Sequence, residues 1–139
     1  MTAVAKKKQE SISHTFTLTV EVDPFWIAYL THYPDIFASN YVGYWLRGVE
    51  NLPDLGWLCW EDDEKGRYHG TEPNRKEALR AWQAGEPLPK HWFRLDRAAA
   101  LRAWEKGVEH WGATWYEDAD ASSYDAVIQL ALLGEIKYG

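Results

Sequence analysis

The sequence predicts an α+β fold, a single compact domain in which a small antiparallel sheet packs against about four helices. Residues 14–22 alternate apolar with polar side chains, which is the period of a strand with one wet face. Residues 57–60 are apolar on both faces, which is typical of a central strand. Helical apolar stripes end at Gly85, Gly112 and Gly134, and glycine favours the left-handed conformation that closes many helices.

The N-terminal half of the domain is predicted to contain two helices and a hairpin. Residues 25–33 carry aromatic side chains at helical spacing. The same spacing predicts a helix over 36–50, with Asp35 as its cap. Residues 67–69 are expected to return as a hairpin partner of the 57–60 strand.

The C-terminal half is predicted to be mainly helical. One helix is expected to begin at 71–73 and to end at Gly85, and another, capped by Asp96, to run to about His110. The expected buried stripe of that second helix comprises Leu101, Trp104, Val108 and Trp111. Residues 115–116 are expected to form a short strand.

The last helix is predicted to be central, because it is apolar nearly all round. Asp120 or Ser122 is expected to open it. Gln129 is the lone polar residue within 126–133, and a buried amide must find hydrogen-bond partners. We interpret Gln129 as a structural residue bonded to backbone rather than as a ligand contact.

Composition indicates an ordinary globular domain. The chain has 139 residues, of which 46% are hydrophobic and 26% charged, and this length suits one domain, expected over 13–139. Residues 1–12 are expected to form a disordered basic tail. Neither a secretory signal nor an apolar run long enough for a membrane helix is visible, and Cys59 is the single cysteine, so we expect a cytoplasmic protein without membrane contact.

The charge distribution makes a nucleic-acid partner unlikely, since the net charge is −6 and binding to phosphates requires lysine and arginine. Residues 21–72 carry −7, whereas 1–20 carry +2, in the basic tail, and 73–110 carry +3. We interpret the basic residues of 73–110 as solvated helix faces.

No motif for catalysis, metal binding or a cofactor is present. The histidines lack ligand spacing, and a single cysteine excludes an ordinary structural zinc site. The segment 118–122 mimics the start of a calcium loop, but Ser123 and Gln129 replace the glycine and the bidentate glutamate. There is no nucleophile elbow and no glycine-rich phosphate loop. We therefore predict no catalytic residue, no metal and no cofactor, and we favour a non-enzymatic role without excluding an enzyme.

Aromatic side chains are more numerous than the core of such a domain obviously needs, with nine tryptophans, eight tyrosines and four phenylalanines. Trp57 and Trp60 point to opposite faces of one strand, so one of them is a candidate for an exposed ring. The predicted binding residues are Trp57, Trp60, Tyr68, Trp92, Arg94, Trp111 and Trp115.

The sequence thus favours a binding protein that presents an aromatic surface with an acidic rim. The expected partner is a protein, and the acidic 21–72 segment favours a basic one. A homodimer is a further expectation. The alternative is a small-ligand or nucleotide-binding protein with a tryptophan-lined pocket, in which Arg94, Arg97 or Arg102 meets an anion.

The C-terminal segment Asp125-Ala-Val-Ile-Gln-Leu-Ala-Leu-Leu-Gly-Glu-Ile-Lys-Tyr-Gly139 resembles the end of small uncharacterised proteins of phages and other mobile elements. Those tails read Ile-Gln-x-Ala-Leu-x-Gly-Glu-x-x-Tyr-Gly. The resemblance covers about fifteen residues and implies no catalytic residue. It implies an accessory protein of a mobile element, which would act by binding or inhibiting a host protein.

Overall fold

A computed structural model describes residues 11–17, 19–52, 56–62 and 74–139. It confirms the α+β fold, with helices on both faces of a three-stranded antiparallel sheet. The elements in chain order are α1 (Pro24–His32), α2 (Pro34–Phe37), a π-helical turn (Ala38–Val42), β1 (Leu46–Leu52), β2 (Gly56–Glu61), α3 (Arg75–Ala84), β3 (Trp92–Leu95), α4 (Arg97–Trp111), a 3-10 turn (Trp115–Asp118) and α5 (Ala121–Leu133).

Strand β2 is the central strand of the sheet, as its two apolar faces predict. It pairs with β1 on one side and β3 on the other, so that Cys59 lies opposite Gly48 and Phe93. Every residue of β2 is buried. Because side chains alternate along a strand, β2 contributes to a different apolar core on each face of the sheet.

The two cores differ in size. The large core receives Trp57 and Cys59 from β2 and is closed by side chains of α1, α4 and α5. The small core receives Leu58 and Trp60 and is closed by α3. Members of the small core are Leu58, Trp60, Ala78, Trp82 and Trp92.

Three aspartates begin the main helices of the large core. The carboxylate of Asp23 accepts a hydrogen bond from the Phe25 amide, and that of Asp96 accepts one from the Ala99 amide. Asp120 forms a capping box with Ser123. The caps at Asp96 and Asp120 confirm the predicted starts of α4 and α5, because each side chain satisfies an amide that has no partner within the helix.

Two elements predicted for the N-terminal half are wrong. The described residues of 14–22 form no strand, and Phe16 is 82% exposed. An alternating pattern makes a strand only where another strand is available to pair with it, and this segment instead leads into α1. The helix predicted over 36–50 ends at Val42, because residues 46–52 pair with β2.

Three details of the C-terminal half also differ from the prediction. Residues 115–116 lie in a 3-10 turn rather than a strand, and β3 was not predicted. Leu101 and Trp111 are exposed, whereas small side chains line the buried face of α4, so that the helix can approach the large core closely. The 67–69 hairpin and the 71–73 helix start lie outside the described residues.

Gly48 permits the closest side-chain packing on the sheet. A Cβ atom placed on Gly48 would lie 1.7 Å from Cζ2 of Trp57, so the indole ring occupies the space above this glycine. The pairing of β1 and β2 shifts register between Gly48 and Glu50, next to this contact. Any side chain at position 48 would therefore displace a large ring from the core.

We predict that Gly48→Ala lowers the free energy of unfolding by about 1–3 kcal/mol, because the added methyl group collides with Trp57. Chemical denaturation followed by circular dichroism measures this change. Glu50→Ala, at an exposed position of the same strand, is the control and should change stability by less than about 0.5 kcal/mol. Equal stability of Gly48→Ala and the control would contradict the packing described.

Candidate functional site

The structure does not bring the predicted binding residues together on one surface. Trp57, Trp60, Trp92 and Trp115 are buried. Arg94 is half-buried, Trp111 is 50% exposed, and Tyr68 lies outside the described residues. The sequence-based expectation of several exposed indoles is therefore wrong, since eight of the nine tryptophans are buried and Trp111 alone remains in contact with water.

The buried tryptophans pack against other elements of the fold, and this packing explains their burial. Trp60 and Trp92 lie 6.4 Å apart, centroid to centroid, in the small core. Trp115 packs over Gly107 of α4, where a Cβ atom would lie 2.3 Å from the indole ring. These rings fill space between elements of the fold and leave no face free to receive a partner.

A different set of aromatic residues reaches the surface together. Tyr29, Tyr41, Tyr124 and Tyr116 follow one another with ring centroids 6.4, 5.0 and 5.9 Å apart, and we call them the tyrosine row. All four are half-buried. They come from α1, the π-helical turn, α5 and the 3-10 turn, respectively.

Sequence reasoning missed the tyrosine row because its members come from four elements. Tyr29 and Tyr41 belong to aromatic stretches that predicted helices, but helical spacing does not show which stretches meet in space. The useful signal was the count of tyrosines, since half-buried tyrosine exposes a polar hydroxyl beside an apolar ring.

The hydroxyl groups of Tyr41 and Tyr116, two members of the tyrosine row, stay protonated at neutral pH. Burial raises the pKa of Tyr116 to about 12, with smaller contributions from Tyr124 and Asp23. Burial also raises the pKa of Tyr41, to which Tyr29 and Tyr124 add. Each of these phenols can therefore donate as well as accept a hydrogen bond.

A groove of about 330 Å³ continues the tyrosine row at Tyr116, and we call it the acidic groove. Its lining includes three carboxylates, those of Glu21, Asp23 and Glu117, and the edge of Trp104. Glu21 and Glu117 are exposed and form no ion pair within the described part of the chain. The groove thus places negative charge beside a partly exposed aromatic surface.

The alternative prediction of an anion-binding pocket corresponds to another groove, also of about 330 Å³. Its lining includes Trp92, Phe93, Arg94 and Arg102. The Nη2 atom of Arg94 donates to the carbonyl oxygens of Ala81 (3.2 Å) and Glu86 (2.8 Å). Arg102 is exposed and forms no hydrogen bond or ion pair with the described residues, so it is the less restrained cation. Trp92 is buried at 3% exposure, so little of its ring is available for stacking.

Glu61, at the end of β2, is the centre of a buried polar cluster. Its Oε2 atom accepts hydrogen bonds from Lys137 Nζ at 2.7 Å and from the Tyr138 hydroxyl, and its Oε1 atom lies 3.0 Å from Nδ1 of His91. Burial alone would raise the pKa of Glu61, but the bonds to Lys137, Tyr138 and His91 outweigh it and lower the pKa. Sequence analysis did not identify this cluster.

Gln129 has the structural role that its position predicts. Its Nε2 atom donates to Asp125 Oδ1 (3.0 Å) and to the Tyr138 carbonyl (3.1 Å). Its Oε1 atom accepts from the amides of Lys137 (2.7 Å) and Tyr138 (2.8 Å). The buried amide is therefore fully satisfied, and it fixes the chain after α5.

Cys59 is unsuited to nucleophilic chemistry. The thiol is buried in the large core, and burial, together with Asp96, raises its pKa. A reactive cysteine requires the opposite shift, toward the thiolate. Within the described ranges, no three histidine, cysteine, aspartate or glutamate side chains are grouped so that they could hold a metal ion.

None of the helices in the described part of the chain has both the length and the apolarity needed to cross a membrane. No family model, no curated protein and no solved structure matches the chain.

We predict that Glu61→Gln lowers the free energy of unfolding at pH 7 by about 1–3 kcal/mol, because it weakens charged hydrogen bonds at a buried site. The lowered pKa of Glu61 means that its contribution is complete above the ordinary value of 4.5 and is lost as the pH falls through the folded-state value. Denaturation curves between neutral pH and about pH 3 should show the two proteins converging in acid.

Glu105→Gln is the control for this measurement, since Glu105 is exposed on α4. It should follow the wild-type pH profile throughout. A constant difference between wild type and Glu61→Gln across the whole range would show that the Glu61 carboxylate does not stabilise the fold in its charged form.

Proposed function

We propose that the protein is a non-enzymatic binding protein that docks a basic protein partner on the tyrosine row and the acidic groove. The observation that carries this proposal is the continuity of the two features, which share Tyr116. Together they form an aromatic surface with an acidic rim, built from residues other than the tryptophans that the sequence favoured.

The tyrosine row has the chemistry of a protein interface. A tyrosine ring supplies contact area at low entropic cost, because the side chain has few rotatable bonds, and its hydroxyl group pairs with polar groups of the partner. Contacts between successive rings hold Tyr29, Tyr41 and Tyr124 in place before binding. A preorganised surface loses less conformational entropy when a partner docks.

The acidic groove favours a partner with lysine or arginine. Glu21, Asp23 and Glu117 provide three carboxylates in the lining of the groove, while Tyr116 offers a ring to a cation. Exposed carboxylates contribute modestly to affinity, but they accelerate encounter with a positive surface and exclude negative ones. The resemblance of the C-terminal segment to proteins of mobile elements makes host proteins the first partners to examine, with inhibition as the expected consequence.

We predict that reversing two charges of the acidic groove, in the double variant Glu21→Lys with Glu117→Lys, reduces capture of a basic partner from host lysate at least about tenfold. Both side chains are exposed, so the fold should tolerate the changes. Quantitative mass spectrometry of proteins retained by wild type and variant measures the effect, and the reduction should be greatest at low salt.

The matched control is Glu50→Lys with Glu105→Lys, which changes the net charge equally at exposed positions that do not line the groove. It should retain the partner as wild type does. Identical protein sets on all three baits would contradict the proposal. So would a nucleotide that raises the melting temperature of wild type but not of Arg102→Gln, since that result would instead favour the anion-binding groove.

A further inference from the structure

The segment after α5 is held as a peptide would be held in a binding site. Tyr138 inserts into a slot formed by four side chains, which we call the tail slot: Trp45, Glu61, Asp125 and Gln129. These residues come from three places in the chain, before β1, at the end of β2 and on α5. Tyr138 is buried, at 8% exposure. Lys137 is itself exposed and bonds to Glu61 and Gln129.

The tail slot recognises both main chain and side chains. Gln129 bonds to the amide and the carbonyl of Tyr138 and to the amide of Lys137, with distances of 2.7–3.1 Å. These hydrogen bonds to main-chain atoms give affinity that does not depend on the side chains of the bound segment. Contacts with the side chains at positions 137 and 138 then determine which residues the slot accepts.

Specificity for tyrosine and lysine comes from Trp45 and Glu61. The Tyr138 ring stacks on Trp45, with centroids 5.5 Å apart and planes 14° from parallel. The Tyr138 hydroxyl and Lys137 Nζ both donate to the same oxygen of Glu61. Trp45 is itself fixed by its Nε1–H bond of 2.8 Å to Asp125.

The connection between α5 and the slot is short and exposed. Gly134 ends α5 in the left-handed conformation, at φ +79°, and a Cβ atom there would meet nothing within 4 Å. Glu135 is exposed, and Ile136 is 56% exposed. The anchored residues 137–138 are therefore joined to the domain by three residues that pack little, which is the arrangement of a hinge between a domain and an exchangeable segment.

We infer that the tail slot is a peptide-binding site, and that residues 134–139 of a second copy of this chain can occupy it in place of the chain's own tail. Exchange between copies replaces each contact in the slot with an identical one, so the occupant is already matched in sequence. Three connecting residues span at most about 10 Å, so the two copies must lie with their slots close together. The inference concerns a site separate from the tyrosine row and does not depend on the proposed function.

The motif in the C-terminal resemblance coincides with this arrangement. Its glutamine is Gln129, its first glycine is Gly134 and its tyrosine is Tyr138. Gln129 bonds to the backbone of the tail, Gly134 ends α5, and Tyr138 fills the slot. The slot supplies a physical reason for this combination of residues without reference to any activity.

Two complementary variants test the inference. Tyr138→Ala keeps the slot but removes its main ligand, and Gln129→Ala keeps the tail but damages the slot. Each variant alone should be a monomer by size exclusion with light scattering. Their mixture should form a complex of twice the 16.1 kDa chain mass, because the free tail of one chain fills the empty slot of the other.

The control mixture pairs Tyr138→Ala with the double variant Gln129→Ala, Tyr138→Ala, in which neither chain carries a tail ligand, and it should remain monomeric. Circular dichroism confirms that each chain is folded. A folded test mixture that stays monomeric at about 100 µM would overturn exchange with a second copy.

A labelled synthetic peptide of residues 133–139 tests the slot itself and requires only one variant. Fluorescence anisotropy should show saturable binding to the Tyr138→Ala chain and at least about tenfold weaker binding to wild type, whose own tail occupies the slot. The same peptide with alanine at position 138 should not bind. If Tyr138→Ala is unfolded, addition of the peptide should restore its circular dichroism signal, because the peptide supplies the missing contacts, and failure to restore the signal would overturn the inference. Absence of binding to a folded receptor, or equal binding of both peptides, would overturn the inference.

Discussion

Burial of β2 on both faces is the constraint on which the rest of the structure depends. Its alternating side chains send Trp57 and Cys59 into the large core and Leu58 and Trp60 into the small one. A strand with bulky apolar residues on both faces needs a layer of helices on each side. Helix α3 provides one layer, and α1, α4 and α5 provide the other.

The same constraint explains why eight of the nine tryptophans are buried. Indole rings pack against glycines that leave room for them. Trp115 of the 3-10 turn lies over Gly107 of α4, and Trp57 of β2 lies over Gly48 of β1. The chain fills its cores with a few large rings against small partners, and packing at this density leaves Trp111 as the exposed indole.

The polar groups around Asp125 and Glu61 are connected rather than isolated. Asp125 accepts from Trp45 and Gln129, and the Tyr44 hydroxyl also donates to it. Glu61 completes the cluster through Lys137 and Tyr138. A buried polar group that lacks a hydrogen-bond partner destabilises the fold by more free energy than a formed hydrogen bond contributes. Such a network therefore favours one arrangement of the tail over others.

Sequence patterns predicted the elements whose signals are local. The Asp96 and Asp120 caps, the glycine stops and the two apolar faces of 57–60 all depend on a few adjacent residues. The strand expected at 14–22 and the helix expected across 46–50 failed because both depended on which segments pair in space. A period-two pattern without a partner strand stays irregular, and cross-strand pairing overrides helical spacing.

The candidate site was less predictable than the fold. An excess of aromatic residues was evident, but the sequence does not show which rings are covered, and the tryptophans were chosen over the tyrosines. Tyr29, Tyr41, Tyr116 and Tyr124 become neighbours only when four elements assemble. Gln129, by contrast, was predicted as a satisfied buried amide because a lone polar residue in an apolar helix has few alternatives.

Oxidation of the native protein by N-bromosuccinimide, followed residue by residue with mass spectrometry, tests the burial of the indoles most directly. The account predicts that Trp111 reacts rapidly and that the other eight tryptophans react only when the protein is unfolded in denaturant. Reaction of Trp57, Trp60 or Trp92 in the native state at the rate of Trp111 would contradict the two-sided burial of β2.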